Sequence, residues 1–186
     1  LNAAGAAALC CELNIKDRAI IQGLAEFGGV GRRFADLGWV RWREHSARLI
    51  DDYGHHPTEV AVTLKAARDA FAATRVVMVY QPHRFTRTRD HFDEFVSVLS
   101  ENQVLILLDV YAAGESPIDG ADSQALANAI RSRGVVEPIV VSDQGHLAAV
   151  LMSVLEDGDI LLMQGAGDIG RLSTALAECE TLEVLL

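Results

Sequence analysis

Short, continuous apolar runs alternate along this chain with longer segments whose apolar positions recur at helical spacing. The runs at 39–42, 47–50, 75–80, 104–109, 138–141 and 160–163 read as strands. The segment 57–73 reads as a helix, because Val60, Leu64, Ala67 and Phe71 fall on one face. Similar spacing predicts helices over 86–99, 121–131, 146–155 and 168–177, and a last strand over 182–185. Two helical stretches come first, an Ala-rich one over 1–13 and a second over 16–27. Phe27-Gly28-Gly29-Val30-Gly31-Arg32-Arg33-Phe34 then breaks the pattern, and a domain boundary is expected shortly after it, giving segments 1–36 and 37–186.

Strands that are apolar throughout, rather than alternating, are buried on both faces. The expected architecture is therefore α/β, a mostly parallel Rossmann-like sheet covered by helices on both sides. Such sheets bind ligands outside the carboxyl ends of their strands. Asp51, Gln81, Asp109 and Gln164 all fall at or just after those ends.

Composition narrows the function. The chain has 186 residues, 50% of them hydrophobic, enough for one packed domain with a small appendage. A net charge of −10 argues against a nucleic-acid surface. No apolar run approaches the roughly 20 residues of a membrane span. The opening lacks the basic start of a signal peptide. It also reads as helix from Leu1 with no capping residue before it, so a fragment cut inside a helix is expected. The odd cysteine count, with Cys10 and Cys11 adjacent, suggests inert reduced thiols in a cytoplasmic protein.

Two corners concentrate the chemistry. Ile50-Asp51-Asp52-Tyr53-Gly54-His55-His56-Pro57-Thr58-Glu59 runs from a strand into a helix opened by Pro57. Gathered titratable groups next to free helix N–H groups suggest a site rather than a solvated capping loop. In the second corner, Gln81-Pro82-His83-Arg84-Phe85-Thr86-Arg87, Arg84 and Arg87 are spaced to share a helical face, as are His83 and Arg87. Paired guanidinium groups suit a carboxylate or phosphate ligand. Arg32 and Arg33 could reach a nucleotide phosphate from the hinge or be plain surface charges. Asp109-Val110-Tyr111-Ala112-Ala113-Gly114-Glu115 fits a catalytic or a loop-ordering role. Gly165-Ala166-Gly167-Asp168-Ile169-Gly170 matches G-x-G-x-x-G but lies too close to the end for a dinucleotide fingerprint, so a turn that lets a ligand or another loop approach is expected. His45, His56, His91 and His146 read as structural or surface residues. The chain holds no phosphate loop, C-x-x-C, H-E-x-x-H or G-x-S-x-G motif.

Taken together in this order, the two corners, the 109–115 segment and Gly165-Ala166-Gly167-Asp168-Ile169 resemble the Mur ligase family. The doubled histidine after Tyr53-Gly54 resembles its alanine-adding branch. The resemblance implies a C-terminal α/β ligase domain at 37–186, preceded at 1–36 by the tail of the central ATPase domain. It implies ATP-dependent amide formation in peptidoglycan precursor synthesis. The lactyl carboxylate of UDP-N-acetylmuramate becomes an acyl phosphate, which the amine of L-alanine attacks. It further implies Asn2, Arg33 and Asp52 as nucleotide contacts, with Arg33 at ATP phosphate and Asp52 at the ribose. Tyr53, His55, His83, Arg84 and Arg87 would form the alanine and acyl-phosphate end, with His55 orienting the amine. ATP and Mg2+ are the implied cofactors, the metal ligands lying in domains absent here, so the fragment is expected to be inactive alone. The competing expectation is a metal-dependent hydrolase using Asp51, Asp52, His55, His56 and His83; an adjacent histidine pair and the nearby arginines weigh against it.

Overall fold

The computed structural model describes residues 2–185 and divides the chain into two compact units, Leu1–Gly31 and Arg32–Leu186. In the first, helices α1 (Asn2–Glu12) and α2 (Asp17–Glu26) form a short hairpin that leaves Leu9, Leu13, Ile21 and Phe27 exposed. The second unit starts slightly ahead of the boundary expected from the glycines, because its first residues are tied into the sheet. The Tyr53 N–H donates to Arg32 O at 2.7 Å, the Phe34 N–H to Asp52 at 2.8 Å, and Phe34 stacks on Phe71.

The second unit is the expected α/β sheet. Its strands are β1 (Ala35–Trp42), β2 (His45–Asp52), β3 (Val76–Tyr80), β4 (Val104–Leu108), β5 (Ile139–Val141) and β6 (Ile160–Gln164). They lie in the order β1-β2-β6-β3-β4-β5. Among the described residues only the β1–β2 hairpin is antiparallel. β1 and β2 are longer than the apolar runs suggest, because hairpin pairing extends through the polar ends Ala35↔Asp51 and Trp42↔His45.

Alternate residues of the buried strands feed opposite cores. Met78, Tyr80, Leu105, Leu107 and Leu162 face α3 (Pro57–Ala70), α5 (Phe92–Leu99) and α6 (Ser123–Ser132). Val77, Val79, Ile106, Leu161 and Met163 face α7 (Leu147–Val154) and α8 (Ile169–Glu178). The helix expected over 86–99 is broken at His91 into α4 (Phe85–Asp90) and α5; His91 leaves helical geometry at φ −118°, ψ 26°. The strand expected over 182–185 is instead a 3-10 turn, Leu182–Leu185, whose Leu182 plugs the second core. Among the described residues no helix is long and apolar enough to cross a membrane.

Candidate functional site

β2 ends in two acids that the pleat points to opposite faces. Asp51 turns toward α8, accepting from Arg32 Nε at 2.8 Å and Ser173 Oγ at 3.1 Å. Asp52 turns toward α3, and both its oxygens are engaged inside the fold. Oδ2 accepts the Phe34 N–H at 2.8 Å; Oδ1 accepts the Gly54 N–H at 2.8 Å, Gln164 Nε2 at 2.9 Å and Thr63 Oγ1 at 3.1 Å. Asp52, expected at a ribose, is thus a buried junction in this structure. Gly54 is required beside it, since a Cβ there would strike Gln164, Asp52 and Glu59.

The chain then enters α3 through a capping box. His56 Nδ1 accepts from the Thr58 N–H, while Glu59 Oε2 accepts the N–H groups of His55 at 2.9 Å and His56 at 3.1 Å. Burial works against the Glu59 charge, but those two N–H groups and the charges of His55 and Arg33 hold its carboxyl below the usual value. His56 is accordingly structural, as expected, and its ring packs edge-on against His91.

The second corner follows β3. Gln81 is buried and braces the loop after β6, its Nε2 donating to Asp168 at 2.6 Å and its Oε1 accepting the Ile169 N–H at 3.0 Å. Arg84 lies before α4 rather than on it, at φ 71°, ψ 132°. A side chain rarely adopts that backbone, at a cost of about 1–3 kcal/mol, and such residues cluster at functional sites. Neighbouring groups enforce it. The Arg84 N–H donates to Tyr111 O at 2.9 Å, and Arg84 O accepts from the Thr88 N–H and hydroxyl at 3.1 and 3.0 Å. His83 and Arg87 do meet, at 3.0 Å, but not on a shared helical face: His83 pairs with Tyr111 in an isolated bridge ahead of α4, and Arg84 leaves the helix between them.

Of the two roles open for the 109–115 segment, the geometry shows loop ordering by Glu115. Its carboxylate accepts the Thr86 N–H at 3.0 Å and hydroxyl at 2.7 Å, and lies 3.5 Å from Arg84. These bonds from Thr86 hold the Glu115 carboxyl below its ordinary value.

The resulting surface carries a row of rings, Tyr53, His55, His83 and Tyr111, with successive centroids 5.4, 5.6 and 5.5 Å apart. Guanidinium groups flank it. Those of Arg32 and Arg33 lie 5.2 and 5.8 Å from the Tyr53 ring, and Arg84 and Arg87 stand beside His83. Desolvation, and then the charges of Arg87, His55 and Arg84, hold His83 below its ordinary value against the pull of Glu115. The structure therefore gathers Tyr53, His55, His83, Arg84 and Arg87, with Arg33 at the edge, 3.7 Å from Glu59. The Asn2 side chain lies outside the described residues.

The Gly165–Gly170 stretch lets other loops approach. A Cβ on Gly165 would meet Gln81 O, one on Gly167 would meet Gln81 and Tyr111, and one on Gly170 the Arg32 guanidinium. A hollow of about 410 Å³ lined by Leu64, Arg68, Phe71 and Asn102 lies at the opposite ends of the strands, away from this chemistry.

The metal-hydrolase expectation is not favoured. Among the described residues no three histidine, cysteine or acidic side chains converge as metal ligands. Asp51 and Asp52 are already engaged, and Arg87 occupies Nδ1 of His83. Burial raises the Cys179 thiol above its ordinary value, and its Sγ donates to Leu176 O at 3.1 Å.

The family model for the Mur ligase, glutamate ligase domain matches residues 32–167. The chain belongs to that family. Its Mur ligase C-terminal domain is similar to part of UDP-N-acetylmuramate-alanine ligase from Thermotoga maritima, with 28% identity and a TM-score of 0.73, covering 95% of this chain and 36% of that one. It is similar in fold to a murein peptide ligase from Psychrobacter arcticus (21% identity, TM-score 0.63, 86% of this chain and 33% of that one). It also shares its fold with a bifunctional folylpolyglutamate synthase/dihydrofolate synthase from Yersinia pestis, complexed with AMPPNP and Mn (19% identity, TM-score 0.57, 87% and 34% covered). The chain spans 36% of the Thermotoga ligase's length, so most of that protein has no counterpart here.

Sequence reading placed Glu59, Tyr111 and Glu115 in the flagged segments but did not assign their partners. Glu59 had a signal, its position three residues after a capping His56. Tyr111 and Glu115 act across loops distant in sequence, which no local pattern reveals.

Proposed function

We propose that the chain is the C-terminal part of a cytoplasmic UDP-N-acetylmuramate–L-alanine ligase acting in peptidoglycan precursor synthesis. Residues 1–36 are the tail of its central ATPase domain. The observation that carries this reading is the gathering of His55, His83, Arg84 and Arg87 at the strand ends of a Mur ligase fold. The identity to the Thermotoga alanine ligase supports the choice of amino acid.

In this reading ATP supplies the phosphoryl group that activates the sugar's lactyl carboxylate. Arg33 contributes to the nucleotide side, together with Asn2; Asp52 acts there by holding the loop, and Tyr53 lines the alanine end beside His55. Arg84 and Arg87 bind the anionic oxygens of the acyl phosphate and of the alanine carboxylate, since guanidinium groups stay charged at neutral pH. His55 orients the amine and His83 donates a hydrogen bond to the oxygen where charge develops.

The test is phosphate release by the full-length ligase with ATP, magnesium and UDP-N-acetylmuramate, comparing L-alanine with glycine, serine and glutamate. Release preferring alanine is expected, with none from the 186-residue chain alone. Preference for another amino acid overturns the alanine assignment, and release by the chain alone overturns its inactivity.

A further inference from the structure

An amine that attacks an acyl phosphate must lose a proton, and the hydrogen bonds of the two site histidines decide which one can take it. Arg87 Nη1 lies 3.0 Å from His83 Nδ1. A guanidinium only donates, so His83 Nδ1 accepts and the proton of the neutral ring sits on Nε2. Neither nitrogen of His83 is then open to an incoming proton.

His55 has the opposite arrangement. Its Nδ1 lies 3.3 Å from Tyr53 O and 3.7 Å from Glu59 Oε2. Tyr53 O is within hydrogen-bond reach and Glu59 Oε2 acts through its charge, so Nδ1 carries the hydrogen and Nε2 keeps its lone pair. Glu59 is well fixed for this task, anchored on α3 and held by the N–H groups of His55 and His56. The other groups around His55 are Tyr53 on its own loop, His83 and Arg87 from the second corner, and the buried Tyr80 hydroxyl, 3.5 Å from His55 O. None of these supplies a second negative charge.

We propose that Glu59 is a positioning residue: it holds His55 in the Nδ1–H form so that Nε2 takes the amine proton, while His83 acts only as a donor. The identity of the amine rests on the ligase reading. In the step served, the amine nitrogen bonds to the acyl carbon and its proton passes to His55 Nε2. The acyl C–O bond breaks with its electron pair leaving on phosphate.

Glu59→Gln isolates the charge, because glutamine at this position still completes a capping box. Long-range proton–nitrogen correlation spectra of the histidine rings in this chain read the tautomers directly. His83 is expected as Nε2–H in both proteins, and His55 as Nδ1–H in the native chain, shifting toward Nε2–H in Glu59→Gln. In the full-length ligase the same substitution should lower kcat about 10- to 100-fold with little change in the KM for alanine. An Nε2–H His55 in the native chain, or an unchanged kcat in an active ligase, overturns the proposal. Absence of any amino-acid-dependent turnover by the native enzyme overturns the ligase reading and the catalytic role together, while the tautomer assignment is decided by the spectra alone.

Discussion

Replacing Asp52 by asparagine tests whether this buried carboxylate is the junction that ties the first corner to Phe34, α3 and β6. Asp52 is 5% exposed and receives donors from Phe34, Gly54, Thr63 and Gln164. Asparagine supplies one oxygen. It is best placed at Oδ1, where three donors converge, which turns the amide NH2 onto the Phe34 N–H 2.8 Å away. One bond to a charged acceptor is lost, about 1.5–3 kcal/mol, and a buried N–H is left without a partner, about 1–3 kcal/mol. These overlap, and local relaxation recovers part, so a net loss of roughly 2–4 kcal/mol is expected. Urea unfolding of this chain at pH 7 measures it, with an unchanged m-value showing that the folded state stays compact. Hydrogen exchange at the Phe34 amide should accelerate at the same time. A loss below about 1 kcal/mol would refute the reasoning, because an unpartnered buried donor costs at least that.

Three other outcomes are expected. Arg84→Gly should leave the fold as stable or more stable, by up to about 1 kcal/mol, because glycine accepts a positive φ; turnover of the full-length ligase should still collapse, and retained turnover would remove the guanidinium from the site. Gly167→Ala should lower the melting temperature by roughly 3–10 °C, from an overpacking cost of about 1–3 kcal/mol against Gln81 and Tyr111; an unchanged melting curve would show that the loops separate freely. Glu59 lies below its ordinary value of 4.5, so its contribution to stability is complete above that pH and is lost as pH falls through its folded value. Urea unfolding from pH 7 down to 3 should therefore show a shallower acid decline in Glu59→Gln than in the native chain, and parallel declines would contradict the assignment.

Most of the sheet was legible because buried parallel strands such as Val76–Tyr80 and Ile160–Gln164 are apolar on both faces. The extent of β2 was not, since its last residues are acids whose burial depends on Arg32, Thr63 and Gln164. The break at His91 was hidden because apolar spacing runs through both α4 and α5 and no glycine or proline marks the kink. The candidate site residues stand out by chemical density at strand ends. Their division of labour did not, because the backbone of Arg84 is set by Tyr111 and the tautomer of His83 by Arg87, and neither can be read from residue types.

The placement of β6 between β2 and β3 has a consequence for how the molecule is made. β6 is the strand nearest the C-terminus, and its ladders are what join the β1–β2 hairpin to β3, β4 and β5. Before residues 160–164 arrive, the Tyr53–Glu59 corner and the His83–Arg87 corner belong to separate sheet fragments. Contacts as distant as Gln164 to Asp52, 112 residues apart, are slow to form and come late. A chain growing from its N-terminus therefore carries two unpaired inner edges until residues 160–164 have emerged, and until then it is most prone to pair wrongly. The sheet end that carries the candidate site is then completed by the same event that closes the sheet, so a chain without residues 160–164 cannot bring the two corners together.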